Sequence, residues 1–132
     1  MCIFCKIAAK EIPSSCIYED ELCMAFLDLA QVTKGHTLII PKQHVDSMLE
    51  CDEETAAHMM KVATRLAKHL QTKLDAQGMN LLSNAKEVAG QTVHHFHMHL
   101  IPRYSEKDAL SIQFNESDKQ DLASLCALLT EV

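Results

Sequence analysis

From His95 to Ile101 the chain reads His-Phe-His-Met-His-Leu-Ile, a histidine at every second position with a large apolar residue between. Side chains of an extended strand alternate between faces, so a period of two sets His95, His97 and His99 on one face and Phe96, Met98 and Leu100 on the other. The pattern predicts a strand over His94–Ile101, with its apolar face in a core and three imidazoles in a row, neighbours about 6 to 7 Å apart at their roots. A single histidine on a strand is ordinarily a surface or core residue. Three in register are different, because protonation would set like charges side by side, a penalty that a purely structural surface has no reason to carry. His94 falls on the opposite face and is read as structural.

Two chemistries suit such a row: a metal site, or imidazoles working on an anion. For all three rings to bind one metal, the outer pair must converge from about 13 Å at the backbone, which a straight strand makes awkward. Two neighbouring rings could still chelate. Work on an anion asks less: one nitrogen faces a phosphorus atom and its neighbours donate to the oxygens.

The rest of the chain supplies the frame. Asp52 caps a helix whose apolar residues Ala56, Met60, Ala63, Leu66, Ala67, Leu70 and Leu74 recur at steps of three and four, ending near Gly78. A second helix is expected from Ser117, which has capping-box spacing to Gln120, with Leu122, Leu125, Cys126 and Leu129 on one side. A short helix is read over Phe4–Ala9. Strand character marks Cys16–Glu19, Leu22–Asp28, His36–Pro41 and Met79–Ser83, the first two split by acidic turn residues as in a hairpin. Too few strand-helix alternations exist for a doubly wound sheet. The expected class is α+β, an antiparallel sheet of about five strands with one long helix and a C-terminal helix, the helices on one side.

At 132 residues, with 48% hydrophobic and 23% charged residues, the chain is expected to form one domain over residues 1–132. Twelve basic residues against eighteen acidic ones leave a net charge of -6, and the basic residues are scattered, which argues against polymeric nucleic acid as a partner. A small anion stays open, since a few oriented donors decide such a site. Residues 1–10 lack the apolar run of a signal peptide, and no run of about eighteen apolar residues occurs, so a cytoplasmic protein with no membrane partner is expected. Six cysteines in a reducing compartment are thiols or metal ligands.

Cys2 and Cys5 have zinc-knuckle spacing, but one pair is half of a tetrahedral site. A redox role would need a preceding strand, for which residues 1–10 leave no room. Cys16, Cys23, Cys51 and Cys126 read as small buried hydrophobes, and His36, His58 and His69 as ordinary structural histidines.

The triplet, its lead-in Ala89-Gly90-Gln91-Thr92-Val93, and the blocks Cys2 to Ile7, Glu11-Ile12-Pro13, Ala25 to Asp28 and Gly35 to His44 resemble, in order, those of the histidine triad (HIT) family, closest to short bacterial members with an amino-terminal Cys-x-x-Cys. The resemblance spans nearly the whole chain. It implies that His97 attacks the α-phosphorus of a nucleotide ester, anhydride or phosphoramidate to give a nucleotidyl-histidine that water resolves. A neutral imidazole is a competent nucleophile near pH 7 when its other nitrogen is held as a donor, a task the family gives to a backbone carbonyl beside the first histidine. The same comparison gives phosphate oxygens to His99, Asn84 and the Gly90-Gln91-Thr92 turn, with Thr92 also near the leaving group. Asp28 takes the ribose hydroxyls, and Phe26, Leu29 and Ile12 fall near the base pocket. Cys2, Cys5, His44 and His95 are the implied ligands of a structural zinc ion, no cofactor being required for catalysis.

Function is therefore expected to be hydrolysis or nucleotidyl transfer on nucleoside phosphoramidates or dinucleoside polyphosphates, with a purine nucleotide or its conjugate as ligand and a homodimer as the working form. Two other readings stand beside it: a nucleotide-binding regulator with incidental turnover, and a metal-dependent enzyme using the triplet as ligands. The chain lacks the tryptophan-bearing tail of some phosphoramidase members, which leaves substrate choice open.

Overall fold

The computed structural model describes residues 2–130. Five strands, β1 (Cys16–Glu19), β2 (Cys23–Leu27), β3 (Thr37–Pro41), β4 (Gly78–Leu82) and β5 (Met98–Arg103), form one sheet in the order β1-β2-β3-β5-β4. All neighbours are antiparallel. Three helices accompany it: α1 (Ile3–Ala8), α2 (Glu53–Leu74) and α3 (Leu122–Leu129). The α+β class and the number of strands agree with the sequence reading.

Alternation along the central strands divides the core in two. Cys23, Ala25, Ile39, Phe96, Met98 and Leu100 face α2 and pack on Met59, Val62, Ala63, Leu66 and Leu70. Met24, Phe26, Leu38 and Ile40 point the other way, where Phe4 and Ile7 of α1 cover them. The helices therefore lie on both faces, not on one. The short amino-terminal helix read over Phe4–Ala9 forms as Ile3–Ala8 and buries Phe4 and Ile7, and that is what puts a wall on the histidine face.

Helix α2 begins at Asp52, whose carboxylate accepts from the Thr55 N–H at 2.9 Å. It stops at Leu74, four residues short of Gly78, because Asp75 itself takes the left-handed conformation, with φ at 56°. Gly78 opens β4 instead. Helix α3 is capped by Asp121, which accepts from the Ser124 N–H, and not by Ser117. Its apolar side is formed as expected but buries nothing: Leu122, Leu125, Leu128 and Leu129 are all exposed, as is Phe114 before them.

The expected strand over His94–Ile101 enters the ladder only at Met98. Continuing the β3–β5 register would bring Pro41 opposite Phe96, and proline has no N–H to offer. The chain leaves β3 there, and Phe96 donates to the Val45 carbonyl instead, at 2.7 Å. Residues 95–97 stay outside the ladder, yet the alternation holds: Phe96 and Met98 enter the α2 core, while His95 and His97 turn to the α1 side. Among the described residues no helix is long and apolar enough to cross a membrane.

Candidate active site and metal centre

On the α1 side the histidine row splits into two constellations. The first joins Cys2, Cys5, His44 and His95, whose ligand atoms all lie within 4.8 Å of one another. The two Sγ atoms are 3.0 Å apart; His44 Nδ1 lies 3.5 and 3.2 Å from them, and His95 Nδ1 3.3 and 3.5 Å. Tetrahedral bonds to zinc set sulfur and nitrogen donors about 3.5 Å apart and two sulfurs about 3.8 Å apart, so the sulfur–nitrogen distances match a closed four-ligand site while the two Sγ atoms would part slightly to take the ion. The outer nitrogens are also placed as metal-bound histidines need: His95 Nε2 donates to the Pro41 carbonyl at 2.8 Å, and His44 Nε2 to Asp46 Oδ1 at 3.0 Å. Two soft thiols and two imidazoles suit zinc, and no open position remains for substrate. Burial opposes ionisation of Cys2, but hydrogen bonds from Cys5 and His44 bring its thiol below the ordinary value; burial and the neighbouring Cys2 push that of Cys5 up.

The second constellation lines a cleft of about 340 Å³ walled by Ile3, Phe4 and Ile7 of α1 and by Phe26, Asp28, Thr92, His97 and His99. His97 is 7% exposed. Its Nδ1 donates to the carbonyl of His95 at 2.7 Å, which leaves Nε2 as the lone-pair nitrogen. Burial lowers its pKa, favouring the neutral ring. The ring meets Phe4 edge to face, with centroids 5.1 Å apart, and neighbours His99 at 5.0 Å.

His99 carries its proton on the other nitrogen. Val32 N–H donates to His36 Nδ1 at 3.3 Å, so His36 holds its hydrogen on Nε2, which lies 2.9 Å from His99 Nδ1 and 3.6 Å from Asp28 Oδ2. His99 Nδ1 is thereby an acceptor and its Nε2–H a donor. Burial, then the neighbouring His97 and His36, push the pKa of His99 down to about 4. Adjacent members of the row thus present opposite functions at Nε2, a lone pair on His97 and a hydrogen on His99. Asp28, anchored by the Ala30 N–H on Oδ1, stands at the mouth of the same cleft.

The other expected residues divide. Ile12, Phe26, Asp28, Leu29 and Thr92 line the cleft, Leu29 at its fully exposed rim. Asn84, Gly90 and Gln91 form the adjoining loop. Asn84 Nδ2 reaches the Gly90 carbonyl at 3.4 Å, and Gly90 takes φ of 97°, where a side chain would be strained and would crowd Asn84. Gln91 is turned inward: its Oε1 accepts from Lys86 N–H, its Nε2 donates to the Asp46 and Val93 carbonyls, and its own N–H is bonded to the Lys86 carbonyl. It braces the loop, holding Lys86 at φ 76° and ψ 159°, a region that strains any residue other than glycine. Sequence reasoning missed two residues. His36, taken as structural, is the partner of His99, and Phe4 packs directly on the His97 ring. His58 keeps its structural reading: with Tyr18 and two backbone N–H groups it saturates the Asp20 carboxylate, tying the β1–β2 turn to α2.

Comparison with known proteins agrees with this arrangement. The profile of the HIT domain family matches residues 9–106. The adenosine 5'-monophosphoramidase of Saccharomyces cerevisiae is 41% identical over 126 residues, 94% of this chain and 77% of that protein. A HIT family protein from Bacillus anthracis superposes with a TM-score of 0.91 at 42% identity, covering 98% of this chain and 94% of the other. A zinc-bound histidine triad family protein from Mycobacterium smegmatis does so with a TM-score of 0.77 at 34% identity, covering 98% and 96%. With its alternating histidines, its paired amino-terminal cysteines and its five-stranded sheet, the chain belongs to the HIT family.

Proposed function

We propose that this chain hydrolyses or transfers nucleotides by cleaving the bond from the α-phosphorus of nucleoside phosphoramidates or dinucleoside polyphosphates, through a nucleotidyl group carried on His97. The observation that carries the reading is the opposed proton placement on His97 and His99 beside one cleft. His97 Nε2 forms a bond to phosphorus while the bond to the leaving nitrogen or oxygen breaks, and that atom departs with the electron pair, a leaving nitrogen taking up a proton from solvent as it goes. The hydrogen on Nδ1, held by the His95 carbonyl, disperses the positive charge that the ring acquires. His99 Nε2–H donates to a phosphate oxygen, and Thr92 stands beside the leaving group. Aiming donors at developing charge is commonly the largest catalytic contribution. Water then attacks the phosphorus and gives up a proton to solvent, the nitrogen–phosphorus bond breaks with its electron pair returning to Nε2, and neutral His97 is restored.

Asp28 accepts from the two ribose hydroxyls, and the apolar wall of Phe26, Ile12 and Leu29 takes a purine. Asn84, Gly90 and Gln91 shape the phosphate loop, Gln91 from within. Zinc on Cys2, Cys5, His44 and His95, when bound, supplies a structural cross-link and no Lewis-acid chemistry, since the four donors close the site. The name of the yeast relative supports a phosphoramidate substrate. The reading extends to a single-domain protein working in the cytoplasm as a homodimer, for which the apolar side of α3 and the edge strand β4 are uncovered.

The test is an alkaline denaturing quench, under which a nitrogen–phosphorus bond survives, of the purified protein during turnover of adenosine 5'-phosphoramidate and, separately, of a diadenosine polyphosphate, followed by mass analysis, kept away from acid, of the peptide containing residue 97. An adenylyl group on His97, absent from His97→Ala, is expected. Undiminished turnover by His97→Ala would overturn the proposal.

A further inference from the structure

Helix α1 belongs to both constellations. Cys2 caps it, its Sγ accepting from the Cys5 N–H at 3.2 Å, and both thiols belong to the four-donor group. One residue on from Cys2 and one before Cys5 come Ile3 and Phe4, and with Ile7 they wall the cleft. Phe4 touches the site at three rings: Phe26 at 5.7 Å, His95 at 5.9 Å and His97 at 5.1 Å, each edge to face.

A six-residue helix does not hold together by itself, since nucleation is unfavourable and so few bonds follow it. Its stability must come from what it is fastened to. Among the described residues, the hydrogen bonds of residues 2–9 that reach beyond residue 12 run only from the Cys2 and Cys5 thiols to His44 and His95. Phe4 and Ile7 supply the apolar attachment. The wall of the cleft is therefore held by a few side-chain contacts together with the cysteine–histidine group.

We propose that metal binding and nucleotide binding are energetically coupled through α1, with Phe4 as the residue that transmits the coupling by closing the cleft and positioning the His97 ring. This rests on the nucleotide reading above. A metal ion joining Cys2 and Cys5 to His44 and His95 fastens α1 in the place where Phe4 and Ile3 meet the ligand. A nucleotide seated against Phe4 in turn holds α1 where its two thiols face the two imidazoles. Linkage requires the two effects to be equal: the factor by which zinc tightens nucleotide binding is the factor by which nucleotide tightens zinc binding. Couplings of this kind commonly amount to about five- to 150-fold, and a short wall of one cleft places the expectation at about tenfold.

The experiment measures AMP affinity by calorimetry on the full chain stripped of zinc and reloaded, and zinc affinity by competition with a chromophoric chelator, with and without saturating AMP. Tightening by about tenfold in each direction, by equal factors, is expected. In Phe4→Ala, AMP binding to the zinc-loaded protein weakens, zinc affinity without AMP also falls because one apolar anchor of α1 is lost, and the coupling factor falls towards one. Phe4→Leu, which restores an apolar wall, recovers part of it. Equal AMP affinity in the stripped and loaded protein would overturn the coupling while leaving an adenylyl-His97 adduct, and with it the functional reading, intact. Coupling that persists in full in Phe4→Ala would also overturn it, since zinc loss would then be unfolding the whole chain and not releasing α1. Absence of AMP binding to the loaded protein, together with absence of the adduct, would remove the functional reading and this inference with it.

Discussion

His95 and His97 are two residues apart on one face of one extended segment, and their rings are put to opposite uses. His95 gives its Nε2–H to the Pro41 carbonyl and turns Nδ1 towards two thiols; His97 gives its Nδ1–H to the His95 carbonyl and keeps Nε2 for the cleft. Both are buried, and burial lowers the pKa of both. The difference lies in which nitrogen finds a backbone carbonyl, because a neutral imidazole has one hydrogen and the acceptor that takes it decides where the lone pair points. Residue type and the face to which the side chain turns are shared, so neither sets the role.

Exchanging the effects of the two histidines would break that comparison. His97→Ala is expected to lower turnover by about four orders of magnitude or more, with the melting temperature little changed, as measured by single-turnover kinetics and calorimetry. His95→Ala removes a ring but leaves the carbonyl that holds His97. At saturating substrate its turnover should stay within about tenfold of the parent, while bound zinc falls below stoichiometric and the melting temperature drops by at least about 5 °C. A large loss of turnover at saturation in His95→Ala, with zinc retained, would show that the two constellations do not divide the work in this way.

The comparison sharpens at His36. Replacing it with Phe deprives His99 Nδ1 of its donor, so His99 can present either nitrogen to the cleft. A loss of about tenfold in kcat, with zinc content unchanged, is expected. The smallest effect concerns acid stability. The pKa of His99 in the folded protein lies at about 4, below its ordinary 6.5. Between those values the unfolded chain binds more protons at this position than the folded one, so stability rises with pH through that window. The contribution is fully present above pH 6.5 and is lost as pH falls towards 4. His99→Gln, which keeps a donor but does not titrate, should therefore show a shallower fall in melting temperature between pH 6.5 and 4 than the parent; identical slopes would count against the buried neutral state of His99.

Much of this arrangement could be read before any coordinates. The alternation from His95 to Leu100 survives even where the segment leaves the ladder, and Asp52 with the apolar steps along α2 marks the helix that forms one core. Ends were less readable. Asp75 in a left-handed conformation stops α2 before Gly78, and Pro41 ends the β3–β5 pairing before His94. Such details depend on side-chain and cross-strand circumstances that a period does not carry. His36 shows the same limit: it pairs with His99 because β3 and β5 run antiparallel with Leu38 opposite His99, which brings the residue two places before Leu38 onto the same face.

By itself the chain's order of residues determined which side chains share a face, where the long helix could run, and that two thiols sit close enough to act as a pair. Those properties follow from backbone geometry over a few residues. Only the tertiary structure decided which imidazole holds which proton, that α1 covers the histidine face, and that α3 is left without cover. The partners responsible arrive from far along the chain: the Pro41 carbonyl reaches His95 across 54 residues, His36 reaches His99 across 63, and Cys2 reaches His95 across 93. A ring's tautomer is set by whatever acceptor the fold brings beside it, and local periodicity holds no record of that.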